Sequence, residues 1–160
     1  MDFKTADLCD EFESLVQVAE PLFRDYGEVA SFWGEMVTIR AFEDSALVRE
    51  TLETDGQQRV LVVDGGASTR YALLGDQMAT LAYENAWAGI VINGCIRDSA
   101  EVAHIAVGVK ALATVPKRSG KEGTGECDVP VDFAGITFSP GGYLFADEDG
   151  IIVADRDLSK

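Results

Sequence analysis

Two short polar turns in this sequence carry residues that suit the binding of a small acid. The first is Gly75-Asp76-Gln77-Met78, and the second is the pair Arg97-Asp98. If a helix begins after Gly75, the backbone N–H groups of Asp76, Gln77 and Met78 point outward at the positive end of the helix dipole, where a carboxylate or a phosphate binds. Because Gly75 has no side chain, a ligand can approach the backbone closely there.

Arg97 and Asp98 would complete such a site. The planar guanidinium of Arg97 matches a carboxylate or an enolate oxygen, and Asp98 is the kind of ligand that Mg²⁺ or Mn²⁺ prefers. The two turns together predict a site for a small α-keto acid, whose keto oxygen is shared by Arg97 and a divalent metal cation. The alternative is structural: Gly75 ends a turn, and Arg97-Asp98 is an ordinary surface pair.

Two apolar runs would position these turns. The first is Arg59–Asp64, which two glycines follow, and the second is Gly89–Gly94, which ends in glycine. Both runs are rich in β-branched residues, which is typical of buried strands in a parallel sheet. A predicted helix over Asp76–Trp87 joins them. If the two strands are parallel neighbours, both turns lie at the same carboxyl edge of the sheet, where ligands bind in such units.

The remaining elements place helices early and strands late. Further helices are predicted over Thr5–Val16, Ser45–Glu53 and Ser99–Ile105, with Thr5 and Ser99 as caps. Strands or extended segments are predicted over Glu35–Arg40, Val107–Val115, Val129–Phe133, Gly135–Ser139, Tyr143–Ala146 and Gly150–Ala154. A turn is predicted at Ser31–Gly34 and a Gly-rich loop over Ser119–Asp128. This order predicts the α+β class or a compact β/α layered arrangement, in one domain over residues 1–160.

Composition and charge narrow the function classes. Apolar residues make up 47% of the 160 residues and charged residues 26%, which is typical of a globular domain rather than a disordered chain. No apolar run approaches the length of a membrane span, and the acidic start predicts no signal peptide. The net charge of -15 disfavours direct binding to nucleic acid and favours basic partners.

The cysteines and the histidine argue against other kinds of site. Cys9, Cys95 and Cys127 are far apart and form no CxxC motif, so we expect reduced thiols and a cytoplasmic location. A basic run, Lys117-Arg118 with Lys121, lies in and beside the Gly-rich loop. His104 is the one histidine, which disfavours a His-rich metal site or a Ser-His-Asp triad.

The motifs around the two turns resemble those of the RraA-like family, which includes 4-hydroxy-4-methyl-2-oxoglutarate aldolases and the regulators of ribonuclease activity A. The resemblance begins with the Gly75-Asp76 turn, the twenty residues between Asp76 and Arg97, and the Arg97-Asp98 pair. It extends over most of the chain, through Asp7–Asp10, Val18–Phe23, Ala41–Asp44, Arg59–Gly66 and Gly123–Val129.

The resemblance to the aldolase members implies a fold and a reaction. It implies a swivelling β/β/α-type layered domain that assembles as a homotrimer, or as a hexamer of two stacked trimers. The stretch Gly75–Met78 would bind substrate through backbone amides, Arg97 would contact the keto and carboxylate oxygens, and Asp98 would hold a divalent cation largely through water. The implied reactions are retro-aldol cleavage of 4-hydroxy-4-methyl-2-oxoglutarate to pyruvate and decarboxylation of oxaloacetate.

The regulator branch implies a different role, which is binding and inhibition of the endoribonuclease RNase E without catalysis. The founding regulator lacks the aspartate after the arginine, whereas this chain keeps Asp98 and has Glu101 three residues later. A third alternative is a structural trimer with neither role. The general base for retro-aldol cleavage also stays open among His104, Glu126, Asp128, a water on the cation and a carboxylate of a neighbouring subunit.

Overall fold

The structure is a computed structural model that describes all residues from Met1 to Lys160. The helices are α1 (Thr5–Glu11), α2 (Ala46–Leu52), α3 (Asp76–Glu84) and α4 (Ser99–Val102). The strands are β1 (Val16–Val18), β2 (Arg24–Asp25), β3 (Phe32–Arg40), β4 (Val60–Asp64), β5 (Gly89–Ile96), β6 (Gly108–Thr114), β7 (Glu126–Cys127), β8 (Val131–Phe133), β9 (Ile136–Phe138), β10 (Tyr143–Asp147) and β11 (Gly150–Ala154). None of the helices combines the length and the apolar composition needed to cross a bilayer.

The main sheet is mixed, with four parallel strands at its centre. Its order is β1-β11-β10-β3-β4-β5-β6-β2, with β7 paired to the end of β3, and β8 and β9 form a separate hairpin. β3, β4, β5 and β6 are parallel neighbours. This confirms the predicted parallel pairing of the two buried strands, which α3 connects.

Side chains on the two faces of the central strands belong to different cores. On β4, Leu61 and Val63 pack with the helical residues Leu52 and Ala79, whereas Val60 and Val62 pack on the other face. The partners on that second face come from β8 to β11: Val131, Phe138, Leu144 and Ile151. Helices therefore cover one face of the parallel strands and further strands cover the other, so the predicted α+β class and its β/β/α layering are confirmed.

The predicted first helix is wrong in its second half. α1 ends at Glu11, and Val16–Val18 is a strand that pairs antiparallel with β11. Leu8 does face a core, where it packs with Phe145 and Ile152. Residues Val16–Val18 form sheet hydrogen bonds with β11 instead of continuing the helix. Thr5 is also not the cap, since Lys4 holds that position and Thr5 is the first helical residue.

Other boundaries differ from the predictions by a few residues. The predicted turn at Ser31–Gly34 is mostly strand, because β3 begins at Phe32 and pairs there with β10. α3 stops at Glu84 rather than Trp87 because Ala86 adopts a left-handed φ of 63°. β5 continues to Ile96, two residues past the predicted end at Gly94, and α4 is capped by Asp98 rather than Ser99.

Asp147 ties α1 to the sheet and gives a testable pH dependence. Its buried carboxylate accepts hydrogen bonds from the N–H of Thr5 at 2.8 Å and from Thr5 Oγ1 at 2.7 Å. Burial raises the pKa of Asp147, but these bonds, the N–H of Asp149 and the charge of Lys110 outweigh burial and lower the pKa overall. The ionised group therefore stabilises the fold above the ordinary aspartate pKa of about 3.9, and this stabilisation is lost as pH falls through the lower folded-state pKa.

We expect Asp147→Asn to lower the free energy of unfolding by about 1–3 kcal/mol at pH 7, because donors around Thr5 lose their charged acceptor. Urea unfolding of both proteins at pH 7 and at pH 3 measures this. The stability difference should shrink at the lower pH, where the wild-type carboxyl is protonated during unfolding. An equal difference in the free energy of unfolding at both pH values would contradict the lowered pKa of Asp147 in the folded protein. Asp157→Asn is the control, since Asp157 bonds only within its own terminal turn.

Candidate functional site

A cleft of about 370 Å³ lies at the carboxyl edge of the parallel strands. Its walls come from the chain segments that follow the four parallel strands: 45–53 after β3, 72–78 after β4, 97–98 after β5 and 118–121 after β6. The six residues predicted from the sequence all line this cleft: Gly75, Asp76, Gln77, Met78, Arg97 and Asp98. The structure thus brings the two predicted turns together, and their roles in binding stay predictions.

Backbone hydrogen bonds join these segments side by side. The segment Ala72–Leu74 lies in the middle. On one side the N–H of Leu73 donates to Cys95 O at 2.9 Å, and the N–H of Arg97 donates to Leu74 O at 2.9 Å. On the other side the N–H of Ser119 donates to Ala72 O at 3.2 Å. Arg97 and Ser119 therefore lie on opposite sides of one extended segment that leads into Gly75.

The helix N-terminus at Gly75 differs from the prediction. Asp76 N–H donates to Asp98 Oδ2 at 3.0 Å, and Gln77 N–H donates to Asp76 Oδ1 at 2.8 Å. The prediction that these two amides point freely outward is therefore wrong in this state of the protein. At Asp76 the cause is the backbone of Asp98, which has a left-handed φ of 57° and ψ of 40° at the start of α4 and places its carboxylate on the first turn of α3. At Gln77 the cause is the carboxylate of the preceding residue.

Arg97 carries an uncommitted positive charge beside the first turn of α3. Its side chain is half-buried, it forms no ion pair, and its guanidinium donates no hydrogen bond within the chain. Its backbone is fixed by the bond to Leu74. A positioned guanidinium with unused donors is suited to bind a carboxylate or an enolate oxygen.

Asp98 has one oxygen available for a cation. Oδ2 accepts the N–H of Asp76, while Oδ1 accepts no hydrogen bond in the structure. No group of three or more His, Cys, Asp or Glu side chains lies close enough together to enclose a metal ion. These donors fit a hard divalent cation that keeps most of its ligands as water, as Mg²⁺ commonly does, and they do not fit a fully protein-ligated site such as structural zinc.

Gly75 leaves the space that the Asp98 carboxylate occupies. A Cβ added at Gly75 would lie 2.7 Å from Asp98 Oδ2 and 3.5 Å from Arg97 Nε. The backbone of Gly75 is extended, with φ of -127°, so the obstacle to a side chain is contact rather than backbone strain.

We therefore expect Gly75→Ala to displace the Asp98 carboxylate and to lower turnover of a substrate bound in this cleft at least tenfold, with little change in melting temperature. Steady-state assays beside thermal unfolding measure both effects. Gly141→Ala is the control for the loss of a glycine, since its added Cβ meets no atom within 4 Å, although its φ of 86° gives it a strain cost. Normal turnover in Gly75→Ala would contradict the tight packing of Asp98 against this position.

Sequence reasoning missed part of the cleft. Four cations line it, Arg49, Arg97, Arg118 and Lys121, among only 13 in the chain, whereas four of the 28 carboxylates do. The cleft is thus much less acidic than the rest of the molecule. The basic run was visible in the sequence, but no local pattern connects it with Arg97. Ser119 was also missed, and its buried Oγ has no hydrogen-bond partner.

The residues considered as a general base lie elsewhere in the chain. His104, Glu126 and Asp128 do not line the cleft, and Glu126 pairs instead with Arg40 at 3.4 Å on the surface. Two other carboxylates do line it, Glu50 and Glu53.

A larger depression, of about 630 Å³, lies at the opposite edge of the parallel strands. Its lining is dominated by aromatic and small residues, including Trp33, Trp87 and Tyr143. Its one cation, Arg59, stacks on the Trp87 ring at 5.3 Å. Its other charged side chains are the acids Glu35 and Asp157, so it offers an anionic ligand no free side-chain cation, and we place the candidate site in the smaller cleft, where chemistry-bearing side chains meet.

Comparison with known proteins agrees with the geometry. The model of the RraA-like family, described as Aldolase/RraA, matches residues 5–153. A protein of Dechloromonas aromatica strain RCB, provisionally named 4-hydroxy-4-methyl-2-oxoglutarate aldolase, is 52% identical over 99% of this chain and 100% of its own. A protein of Ectopseudomonas mendocina strain ymp with the same provisional name is 54% identical over 99% of this chain and 98% of its own.

Solved structures show the same fold. The RNA-processing inhibitor RraA of Thermus thermophilis superposes with a TM-score of 0.94 at 44% identity, covering 98% of this chain and 94% of its own. A Geobacillus kaustophilus HTA426 protein, named S-adenosylmethionine: 2-dimethylmenaquinone methyltransferase, superposes with a TM-score of 0.96 at 50% identity, covering 98% of each chain. The family model covers nearly the whole chain, and relatives exceed half identity over their full length. The chain therefore belongs to the RraA-like family.

Proposed function

We propose that this protein is a divalent-metal-dependent carbon–carbon lyase that cleaves 4-hydroxy-4-methyl-2-oxoglutarate to pyruvate and decarboxylates oxaloacetate. The observation that carries the proposal is the convergence of Arg97, Asp98 and the first turn of α3 in one cleft. The provisional names of relatives that are more than half identical support the same reaction class.

Both reactions pass through the enolate of pyruvate, whose oxygen becomes negative as the carbon–carbon bond breaks. The free guanidinium of Arg97 would bind that oxygen and stabilise charge that exists only near the transition state. Gly75 leaves room for the Asp98 carboxylate close to Arg97, so the groups for the cation and for the oxyanion lie side by side. A cation held by Asp98 Oδ1 would supply Lewis-acid polarisation of the keto oxygen.

The two reactions differ in what they demand of the chain. Retro-aldol cleavage requires a base for the 4-hydroxyl proton, whereas decarboxylation of oxaloacetate requires only stabilisation of the enolate. Oxaloacetate therefore tests Arg97 and Asp98 separately from the unidentified base.

The direct test measures pyruvate release from oxaloacetate by the purified protein in Mg²⁺ or Mn²⁺, after EDTA, and after the cation is restored. We expect turnover that disappears with EDTA and returns with either cation. Turnover no faster than the cation alone in buffer would overturn the proposal. Cleavage of 4-hydroxy-4-methyl-2-oxoglutarate is then assayed under the same conditions.

A second candidate function is binding of the endoribonuclease RNase E. The net charge of -15 and the 44% identity to a protein named as an RNA-processing inhibitor favour it. An acidic surface would bind arginine-rich segments of such an enzyme electrostatically, so binding should weaken steeply with salt. Titration of an RNase E C-terminal segment at two salt concentrations tests this, and absence of binding at low salt would exclude it.

We also propose that the chain assembles as a homotrimer, or as a hexamer of two stacked trimers. Several large apolar side chains are about half exposed, including Leu15, Val18, Leu22, Phe42 and Tyr83, and subunit contacts would cover such groups. Light scattering coupled to gel filtration measures the assembly, and a monomeric mass would refute it.

A further inference from the structure

We propose that Arg118, Ser119 and Lys121 form a second anion subsite, which binds the distal carboxylate of a dicarboxylic 2-oxo acid. This inference rests on the proposed lyase function and names the residues that would bind the second carboxylate of its substrates. The subsite would favour 2-oxo acids with a second carboxylate over monocarboxylic acids of the same length.

The hydroxyl of Ser119 indicates that a ligand belongs here. Ser119 lines the cleft, the residue is only 6% exposed, and its buried Oγ has no hydrogen-bond partner. Its backbone N–H is held by Ala72 O at 3.2 Å, so the residue is fixed in place. A buried hydroxyl without a partner is unfavourable and rare, and a carboxylate in the cleft would accept its hydrogen bond.

Arg118 and Lys121 supply charge on either side of Ser119. Neither side chain forms an ion pair or donates a hydrogen bond within the chain, although the protein has 28 carboxylates. Both line the cleft. A hydroxyl donor and two exposed, unpaired cations that line one cleft form a donor set that suits a carboxylate.

The distance from Arg97 suits a substrate with two acidic ends. The segments of Arg97 and Ser119 flank the Ala72–Leu74 segment, so two strand spacings, roughly 10 Å in total, separate them. A short dicarboxylate with a hydrogen bond at each end spans about this distance. One end would lie on Arg97 and the first turn of α3, and the other on Ser119.

Asp44 holds this loop in shape before any ligand arrives. Its carboxylate accepts hydrogen bonds from the N–H groups of Glu122 at 2.9 Å and Gly123 at 3.2 Å, and from Thr124 Oγ1 at 3.1 Å. Burial raises the pKa of Asp44, but the backbone hydrogen bonds outweigh it and lower the pKa overall. The loop therefore stays tied at neutral pH, which reduces the ordering cost of binding.

The test compares two acids that share a five-carbon chain, 2-oxoglutarate and 2-oxopentanoate. Calorimetry in Mg²⁺ measures the affinity of both for the wild type, Arg118→Gln and Ser119→Ala. Lys117→Gln is the matched control, since Lys117 lies over the Tyr71 ring at 5.2 Å and does not line the cleft. We expect the wild type to bind 2-oxoglutarate at least tenfold more tightly, and each subsite variant to reduce that ratio severalfold to about tenfold.

The affinity for 2-oxopentanoate should stay unchanged in all variants. The melting temperature of Ser119→Ala should stay equal or rise, because the substitution removes an unpaired buried hydroxyl, and this separates ligand binding from a structural role. Equal affinity of the wild type for both acids, or a ratio unaffected by the two variants, would overturn the subsite alone. If the wild type binds neither acid and releases no pyruvate from oxaloacetate, the lyase function fails together with the subsite.

Discussion

Replacing Arg97 with alanine is expected to lower kcat/KM for oxaloacetate decarboxylation at least 100-fold while the fold and assembly persist. Arg97 presents an uncommitted guanidinium beside Asp98, is fixed through its backbone to Leu74 and has no intrachain partner for its side chain. Losing one preorganised contact to a developing oxyanion costs about 3 kcal/mol, which is roughly 100-fold in rate. Because no ion pair or side-chain hydrogen bond is lost, the melting temperature should hardly change.

Two variants make this expectation specific. Arg97→Lys keeps the charge but loses the planar fork, so it should recover only part of the lost rate. Arg156→Ala removes an exposed arginine that stacks on Phe12, and neither residue lines the cleft. This variant should keep turnover at the wild-type level. Wild-type kinetics in Arg97→Ala would remove this residue from the site, and with it the main support for the lyase proposal.

The position of the site at the carboxyl edge of the sheet could be predicted because the sequence patterns that determine it are local. The apolar runs of β4 and β5 leave little alternative to buried parallel strands, and the intervening helix forces their ends to the same edge. The polar residues that follow these runs must then meet. Gly75 and Arg97 were accordingly placed in one site from the sequence.

The rest of the site depends on contacts that no short pattern records. Ser119 reaches the cleft because its backbone pairs with Ala72, which is 47 positions away in the chain. The left-handed backbone of Asp98 is equally invisible in the sequence, since aspartate adopts that conformation only when its surroundings favour it. That one residue binds the Asp76 amide, which was predicted to be free, and thereby caps α3 from another element.

Asp98 has two roles, one for each of its carboxylate oxygens, and two substitutions should affect these roles differently. Oδ2 accepts the N–H of Asp76, and this needs only an acceptor. Oδ1 has no partner in the chain, and holding a cation there needs the negative charge. The asparagine variant would keep an acceptor for Asp76 and lose the charge, whereas the alanine variant would lose both. The substitutions Asp98→Asn and Asp98→Ala therefore separate capping from cation binding.

We expect both variants to lose Mg²⁺-dependent oxaloacetate decarboxylation by at least 100-fold at low millimolar Mg²⁺, since the cation and the enolate oxygen would no longer be held together. Only Asp98→Ala should also lose stability, because the N–H of Asp76 is left without its cap and alanine is strained at the left-handed φ of 57°, at a combined cost of about 1–2 kcal/mol. For a domain of this size that is a fall of about 2–8 °C in melting temperature. Raising Mg²⁺ should restore part of the activity of Asp98→Asn, because weaker cation binding is overcome by mass action. Full turnover of Asp98→Asn at low Mg²⁺ would show that Asp98 serves α3 alone, and the cation would then have to be held by other groups of the cleft.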